Sequence, residues 1–133
     1  MKKAVFILSM VLIFSSCSSN EDEINNSDIN PPNWIIGTWF PENGISNLNS
    51  GFRFVSDDLI QITPFSELSI KSNVTSGRQV QDVTLREINT DEHYELYVTF
   101  ESQGITNSYR FRKTSGTKIV WISGVSDFTL IKQ

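Results

Sequence analysis

The chain of 133 residues has one cysteine, one histidine and four prolines, and residues 34–133 show no run of helical i, i+3, i+4 hydrophobic spacing. A single cysteine, Cys17, excludes an intramolecular disulfide and any site built on paired thiolates. A single histidine, His93, excludes a multi-histidine metal centre, and any His-based triad would have to run through it. It stands in the charged turn between Glu92 and Tyr94, where an exposed loop histidine is the plain reading. There is no Gly-rich phosphate loop and no Gly-x-Ser-x-Gly elbow. The acid pairs Asp57-Asp58 and Asp91-Glu92 fall in turns, where Asp is favoured for local backbone hydrogen bonds, and lack calcium-loop spacing. The chain is therefore expected to be no enzyme and to carry no cofactor or metal.

What is present begins with a three-part leader. Met1-Lys2-Lys3 is basic, residues 4–14 form an eleven-residue run that is apolar except for Ser9, and Ser15-Ser16-Cys17 is small and polar. That is the layout of a secretory signal peptide. The run falls short of the roughly 20 apolar residues that cross a bilayer, and no comparable stretch follows.

Phe14-Ser15-Ser16-Cys17 resembles the bacterial lipobox, a large apolar residue and two small ones before a cysteine. The resemblance implies cleavage after residue 16 and a diacylglycerol thioether on Cys17. Each buried acyl methylene contributes about 0.8 kcal/mol, so two or three chains anchor a protein essentially permanently. Residues 1–16 are thus expected to be a lipoprotein signal peptide and the mature protein an outer membrane lipoprotein. The acidic Glu21-Asp22-Glu23 resembles the surface-export signal of Bacteroidetes lipoproteins, which implies exposure at the cell surface; a solvated linker is the plainer alternative.

Loss of Lys2 and Lys3 leaves nine basic residues against fifteen acidic, a side-chain charge of −6. Such a chain repels phosphate backbones, so nucleic acid is excluded as a partner. Residues 17–33, the lipidated cysteine followed by a polar, acidic stretch ending in Pro31-Pro32, read as a flexible tether. Its sixteen residues after Cys17 would span about 20 to 25 Å on average as a coil and about 50 Å extended.

Residues 34–133 read as one domain, expected to be a monomer. Hydrophobic residues there recur with period two: Tyr94, Leu96, Val98 and Phe100 share one face of a strand, and Glu95, Tyr97 and Thr99 the other. Nine strands are expected, at 35–40, 52–55, 59–63, 68–71, 80–88, 94–100, 109–112, 119–123 and 128–131, separated by Gly, Asn, Asp and Ser turns. The fold class that follows is all-β, a small antiparallel up-and-down barrel closed to remove its edges.

Trp34-Ile35-Ile36-Gly37-Thr38-Trp39-Phe40 carries a Gly-x-Trp that resembles the first-strand signature of the lipocalins and related calycins. Asn89-Thr90-Asp91 resembles their Thr-Asp-x motif. The resemblance implies a barrel with Trp39 plugging one end under a late basic residue, Arg110 or Arg112. The domain is shorter than a typical lipocalin and lacks the C-terminal helix.

The resemblance also implies binding of a small apolar ligand, in or at the mouth of the barrel, by the inward residues Trp39, Phe54, Leu96, Val98, Phe100, Tyr109, Phe111 and Trp121. If the barrel is filled, the same residues are its core and work is left to the rim. The alternative is a protein-binding module such as a peptidase inhibitor, acting through residues 30–33 or the loops at 43–50 and 102–107.

The anchor has a direct test. Cys17→Ala is expected to move the protein from the membrane to the soluble fraction on cell fractionation, and continued membrane retention would count against lipidation.

Overall fold

A computed structural model describes residues 28–42 and 50–133. The signal peptide, Cys17, most of the tether and residues 43–49 of one expected loop lie outside the described residues.

Nine antiparallel strands form one strongly curled sheet: β1 Gly37–Pro41, β2 Gly51–Val55, β3 Asp58–Ile62, β4 Glu67–Ser69, β5 Val83–Asn89, β6 His93–Phe100, β7 Ile105–Lys113, β8 Lys118–Ile122 and β9 Asp127–Lys132. Their order is β4-β3-β2-β1-β9-β8-β7-β6-β5. Every neighbouring pair except one is a hairpin between consecutive strands. The exception is β1 with β9, in the register Trp39↔Lys132, Phe40↔Ile131 and Pro41↔Leu130. The all-β, barrel-like architecture expected from the alternating pattern is the one observed.

Strand β7 begins at Ile105 rather than at 109, so residues 105–107 of the loop expected at 102–107 are strand; three further boundaries differ for visible reasons. Trp34 and Ile35 form a turn rather than strand, with the Ile35 N–H donating to the Pro32 carbonyl at 3.0 Å. Val80 lies in an exposed turn ahead of β5. The strand expected at 68–71 ends at Ser69, where a helix that the sequence reading missed, α1 Ile70–Gly77, begins.

Helix α1 is held at its start by side chains. The Ser69 hydroxyl accepts from the Ser72 N–H at 3.0 Å and donates to Asp58 Oδ2 at 2.5 Å, while Asp58 Oδ1 accepts from the Lys71 N–H at 2.8 Å. Two of the N–H groups that a helix start leaves unpaired are thereby satisfied. Only Ile70 and Val74, spaced i, i+4, are buried from the helix. At its end, a Cβ on Gly77 would lie 2.8 Å from the Phe100 ring and 3.1 Å from Val83, so only glycine lets the helix close onto β5 and β6. Since β4 and β5 do not pair, α1 covers the gap between them.

The interior is filled. Trp39, Phe54, Leu59, Leu85, Tyr94, Leu96, Phe111, Ile119 and Leu130 are all at most 2% exposed and belong to one core cluster. Strand β6 alternates half-buried and buried without a break, as its sequence pattern requires. Ile29 is in the same cluster, and Pro31 is buried too, so the packed unit begins before Trp34.

Asp58 is 7% exposed, and its carboxylate serves the helix. Asp58→Ala removes the bonds to the Lys71 N–H and the Ser69 hydroxyl and is expected to lower unfolding free energy by about 1 to 3 kcal/mol, measured by urea denaturation; an unchanged midpoint would refute this account of α1.

Candidate functional site

The two ends of the barrel are built differently. At the closed end the Trp39 indole N–H donates to the Ile35 carbonyl at 2.7 Å, and Lys132 Nζ lies 5.4 Å from its ring centroid. Gly37 has φ +134°, and a Cβ there would sit 2.6 Å from Lys132 Cε, so the Gly-x-Trp spacing leaves the space the lysine stem occupies. The basic residue over Trp39 is therefore Lys132, and neither Arg110 nor Arg112, as expected from sequence. Those two stand on β7, opposite Glu95 and His93 of β6.

The same end takes in the N-terminal segment. The Trp34 indole N–H donates to the Thr90 carbonyl at 2.8 Å, and Lys113 Nζ lies 5.9 Å from the Trp34 ring. The Tyr94 hydroxyl donates to Glu87 Oε1 at 2.7 Å, and both Glu87 oxygens accept from the Asn30 N–H at 2.9 and 3.1 Å. Residues 30–33, one of the segments considered for a probing role, are thus fastened to the domain. The Thr90 hydroxyl accepts from the His93 N–H at 2.9 Å, which shapes the Thr90-Asp91 turn as a structural feature.

From this end a column of aromatic rings runs through the barrel. Tyr94 meets Phe54 at 5.9 Å between centroids, Phe54 meets Phe111 at 5.0 Å, Phe111 meets Phe52 at 5.0 Å and Phe52 meets Trp121 at 4.9 Å, all edge to face. Trp121 then stacks on Phe128 at 5.4 Å. Each such pair contributes about 0.5 to 1.5 kcal/mol beyond its buried area.

At the outer end of the column lies a cleft of about 380 Å³, walled by Pro41, Phe52, Ile62, Trp121, Phe128 and Leu130. Glu42, Gln61, Asp127 and Thr129 add polar groups. Volume and lining fall in the range of small-molecule sites, apolar walls with a few polar groups. Glu42 is ion-paired to Lys118. The turns beside it carry bare apolar tips: Phe65, between β3 and β4, and Val125, between β8 and β9, are each 96% exposed.

Of the residues expected to bind ligand, Trp39, Phe54, Leu96, Val98, Phe100 and Phe111 are buried in the core, and Tyr109 packs half-buried against it. Trp121 alone of that set borders the cleft. Phe128 and Phe52 were missed as site residues. The turn-forming residues Ser123 to Ser126 carried a signal for Phe128, since a hairpin about that four-residue loop sets Trp121 opposite Phe128 on one face. No comparable turn signal marked Phe52.

The acid pair at 57–58 is taken up structurally. Asp57 pairs with Lys71, whose hydrogen bond and charge hold the carboxyl below its usual range. Among the described residues no three His, Cys, Asp or Glu side chains gather as a metal site. Comparison with known proteins adds no relative: no protein-family model matches the sequence, and no curated protein or solved structure shows significant similarity to it.

Burial pushes the Tyr94 phenol well above its ordinary value, and the neighbouring Glu87 charge pushes it the same way. Below the unfolded-state value of about 10 the phenol is neutral in both states. Above it the unfolded chain sheds a proton that the folded chain keeps, so stability falls as pH rises from about 10 toward the folded value. Tyr94→Phe is expected to reduce this alkaline loss while costing about 1.5 to 3 kcal/mol at neutral pH, the range for a hydrogen bond to a charged group. Urea unfolding from pH 7 to 11 checks both; an alkaline slope unaltered by the substitution would refute the assignment.

Proposed function

We propose that this chain is a non-catalytic, membrane-anchored lipocalin-like lipoprotein that binds one small apolar ligand at the mouth of its barrel. The observation that carries the reading is the aromatic cleft of about 380 Å³ between Phe52, Trp121 and Phe128. Because the interior is occupied by packed side chains, the mouth is where a ligand fits. The arrangement of Gly37, Trp39 and Lys132 supports the calycin resemblance, since it supplies the glycine, the plugging indole and the late basic residue.

The proposed anchor would join the domain at the end opposite the cleft. Asn30 is bonded at the closed end, so a lipid on Cys17 pulls on that end through the eleven residues 18–28, at most about 40 Å of chain.

A second reading, a protein-binding module, would act through Phe65 and Val125, which stand almost fully exposed at two turn tips. Micromolar inhibition in a peptidase panel that disappears with Phe65→Ser and Val125→Ser would favour it.

Ligand binding is tested on the mature chain carrying Cys17→Ala, by native mass spectrometry and by uptake of the neutral fluorophore N-phenyl-1-naphthylamine. Binding is expected, weakened about tenfold by Phe128→Ala with the circular dichroism spectrum unchanged. Absence of any bound molecule and of probe uptake, or uptake indifferent to Phe128→Ala, would overturn the proposal.

A further inference from the structure

We infer that the mouth of the barrel docks on a lipid bilayer, with the apolar tips of its turns inserted among lipids of neutral head group. The strand order assigns every turn to one end of the barrel or the other. The cleft is walled by the ends of β1 and β3 and the starts of β2 and β9, which fixes the mouth. The turns β3–β4, β6–β7 and β8–β9 and the passage from α1 into β5 all lie at that end. Each has one bare apolar side chain at or beside its tip: Phe65 and Val125 as above, Val80 at 82% exposure and Ile105, the first residue of β7, at 50%. The passage into β5 is bonded to the β6–β7 turn, where the Glu101 N–H donates to the Asp82 carbonyl at 3.0 Å and the Ser102 N–H to Gln81 Oε1 at 3.2 Å. Leu68 and Phe128, the other large apolar residues left exposed among the described residues, are at this end too, Leu68 opposite Gln61 of the cleft wall. The turns of the closed end, residues 56–57, 90–92 and 114–117, consist of Ser, Asp, Thr, Glu and Gly and hold no apolar residue.

The residues around the tips select the partner. Each tip is flanked by uncharged residues: Pro64 and Ser66, Gln79 and Gln81, Gly104 and Thr106, Gly124 and Ser126. Such a tip can leave water without stranding a charge. No lysine or arginine adjoins a tip to draw it to anionic head groups, and the mature side-chain charge of −6 is repelled by them. The matching surface is therefore an uncharged one. Single apolar prongs on separate turns suit a fluid phase that closes around each, whereas a protein would need a separate hollow for every prong. The tether permits contact with the same membrane that is proposed to hold Cys17. Its eleven residues reach at most about 40 Å, and the nine residues of β7, the longest strand, span about 31 Å. The domain can thus turn its mouth toward the surface that anchors its other end. In that pose the cleft opens onto lipid, a source of apolar ligand.

Vesicle binding decides the matter. In the mature Cys17→Ala chain a single new cysteine is labelled with the polarity-sensitive dye NBD, either Ser126→Cys beside a tip or Thr117→Cys at the closed end. With phosphatidylcholine vesicles at millimolar lipid, the label at 126 is expected to brighten and shift to the blue, and the label at 117 to stay as in water. Adding Phe65→Ser and Val80→Ser is expected to weaken partitioning about tenfold with the circular dichroism spectrum unchanged. Anionic phosphatidylglycerol vesicles are expected to bind no better than neutral ones. A label at 126 that vesicles leave unmoved would overturn the inference and leave the tips to a protein partner. Equal shifts at both labels, binding confined to phosphatidylglycerol, or partitioning indifferent to the two substitutions would overturn it as well. The measurement needs neither a lipid on Cys17 nor an occupied cleft, so its failure is distinct from failure of the ligand-site reading.

Discussion

The pairing of β1 with β9 joins the two ends of the described domain. It is the one strand pairing that brings together residues far apart in sequence, Trp39 with Lys132 and Pro41 with Leu130. All other ladders are hairpins between neighbours, which would by themselves give a flat meander with one buried face unprovided for. Once β1 takes β2 on one side and β9 on the other, the sheet curls and its inward faces meet. Trp39 sits at this joint. Its indole is bonded to Ile35 and covered by the stem and ammonium of Lys132, and Gly37 leaves room for that stem. The Gly-x-Trp spacing is thus a packing requirement of the closure.

Curling leaves a gap, because β4 and β5 do not pair. A three-residue β4 cannot extend far enough to bond β5, and the chain fills the space with α1 instead. The helix has weak intrinsic support, with Ser, Asn, Val, Thr and Gly among its eight residues. It forms because Asp58 and Ser69 satisfy its first N–H groups and because Ile70 and Val74 bury against the core. The acid pair Asp57-Asp58, which in sequence could be weighed as acid–base machinery, is here divided between a surface ion pair and a helix anchor.

Filling the barrel has a consequence for function. Five aromatic rings from Tyr94 to Trp121 occupy the axis edge to face, so the inward alternation that in a wider barrel would line a cavity here makes a core. The proposed site is displaced to the outer end of that column, where Trp121 and Phe128 stack with both rings still partly in solvent. At the closed end lysines cover two tryptophans.

Much of this was legible in the residues alone. Period-two alternation in β6 named the buried face of that strand, since side chains of a strand must point to opposite sides and only one side is dry. Turn residues placed nine strands, and Gly37-x-Trp39 marked the plugged end. Only the tertiary structure decided which basic residue covers Trp39, because Lys132 reaches it through the long-range β1–β9 register, which no local pattern encodes. Only the tertiary structure turned 70–77 into a helix, since its anchor, Asp58, lies eleven residues before Ser69 and its burial depends on a gap in a sheet. The sequence determined which side chains face inward. Whether those side chains enclose a void or fill it is a matter of how nine strands close and how rings pack, and that was decided in three dimensions.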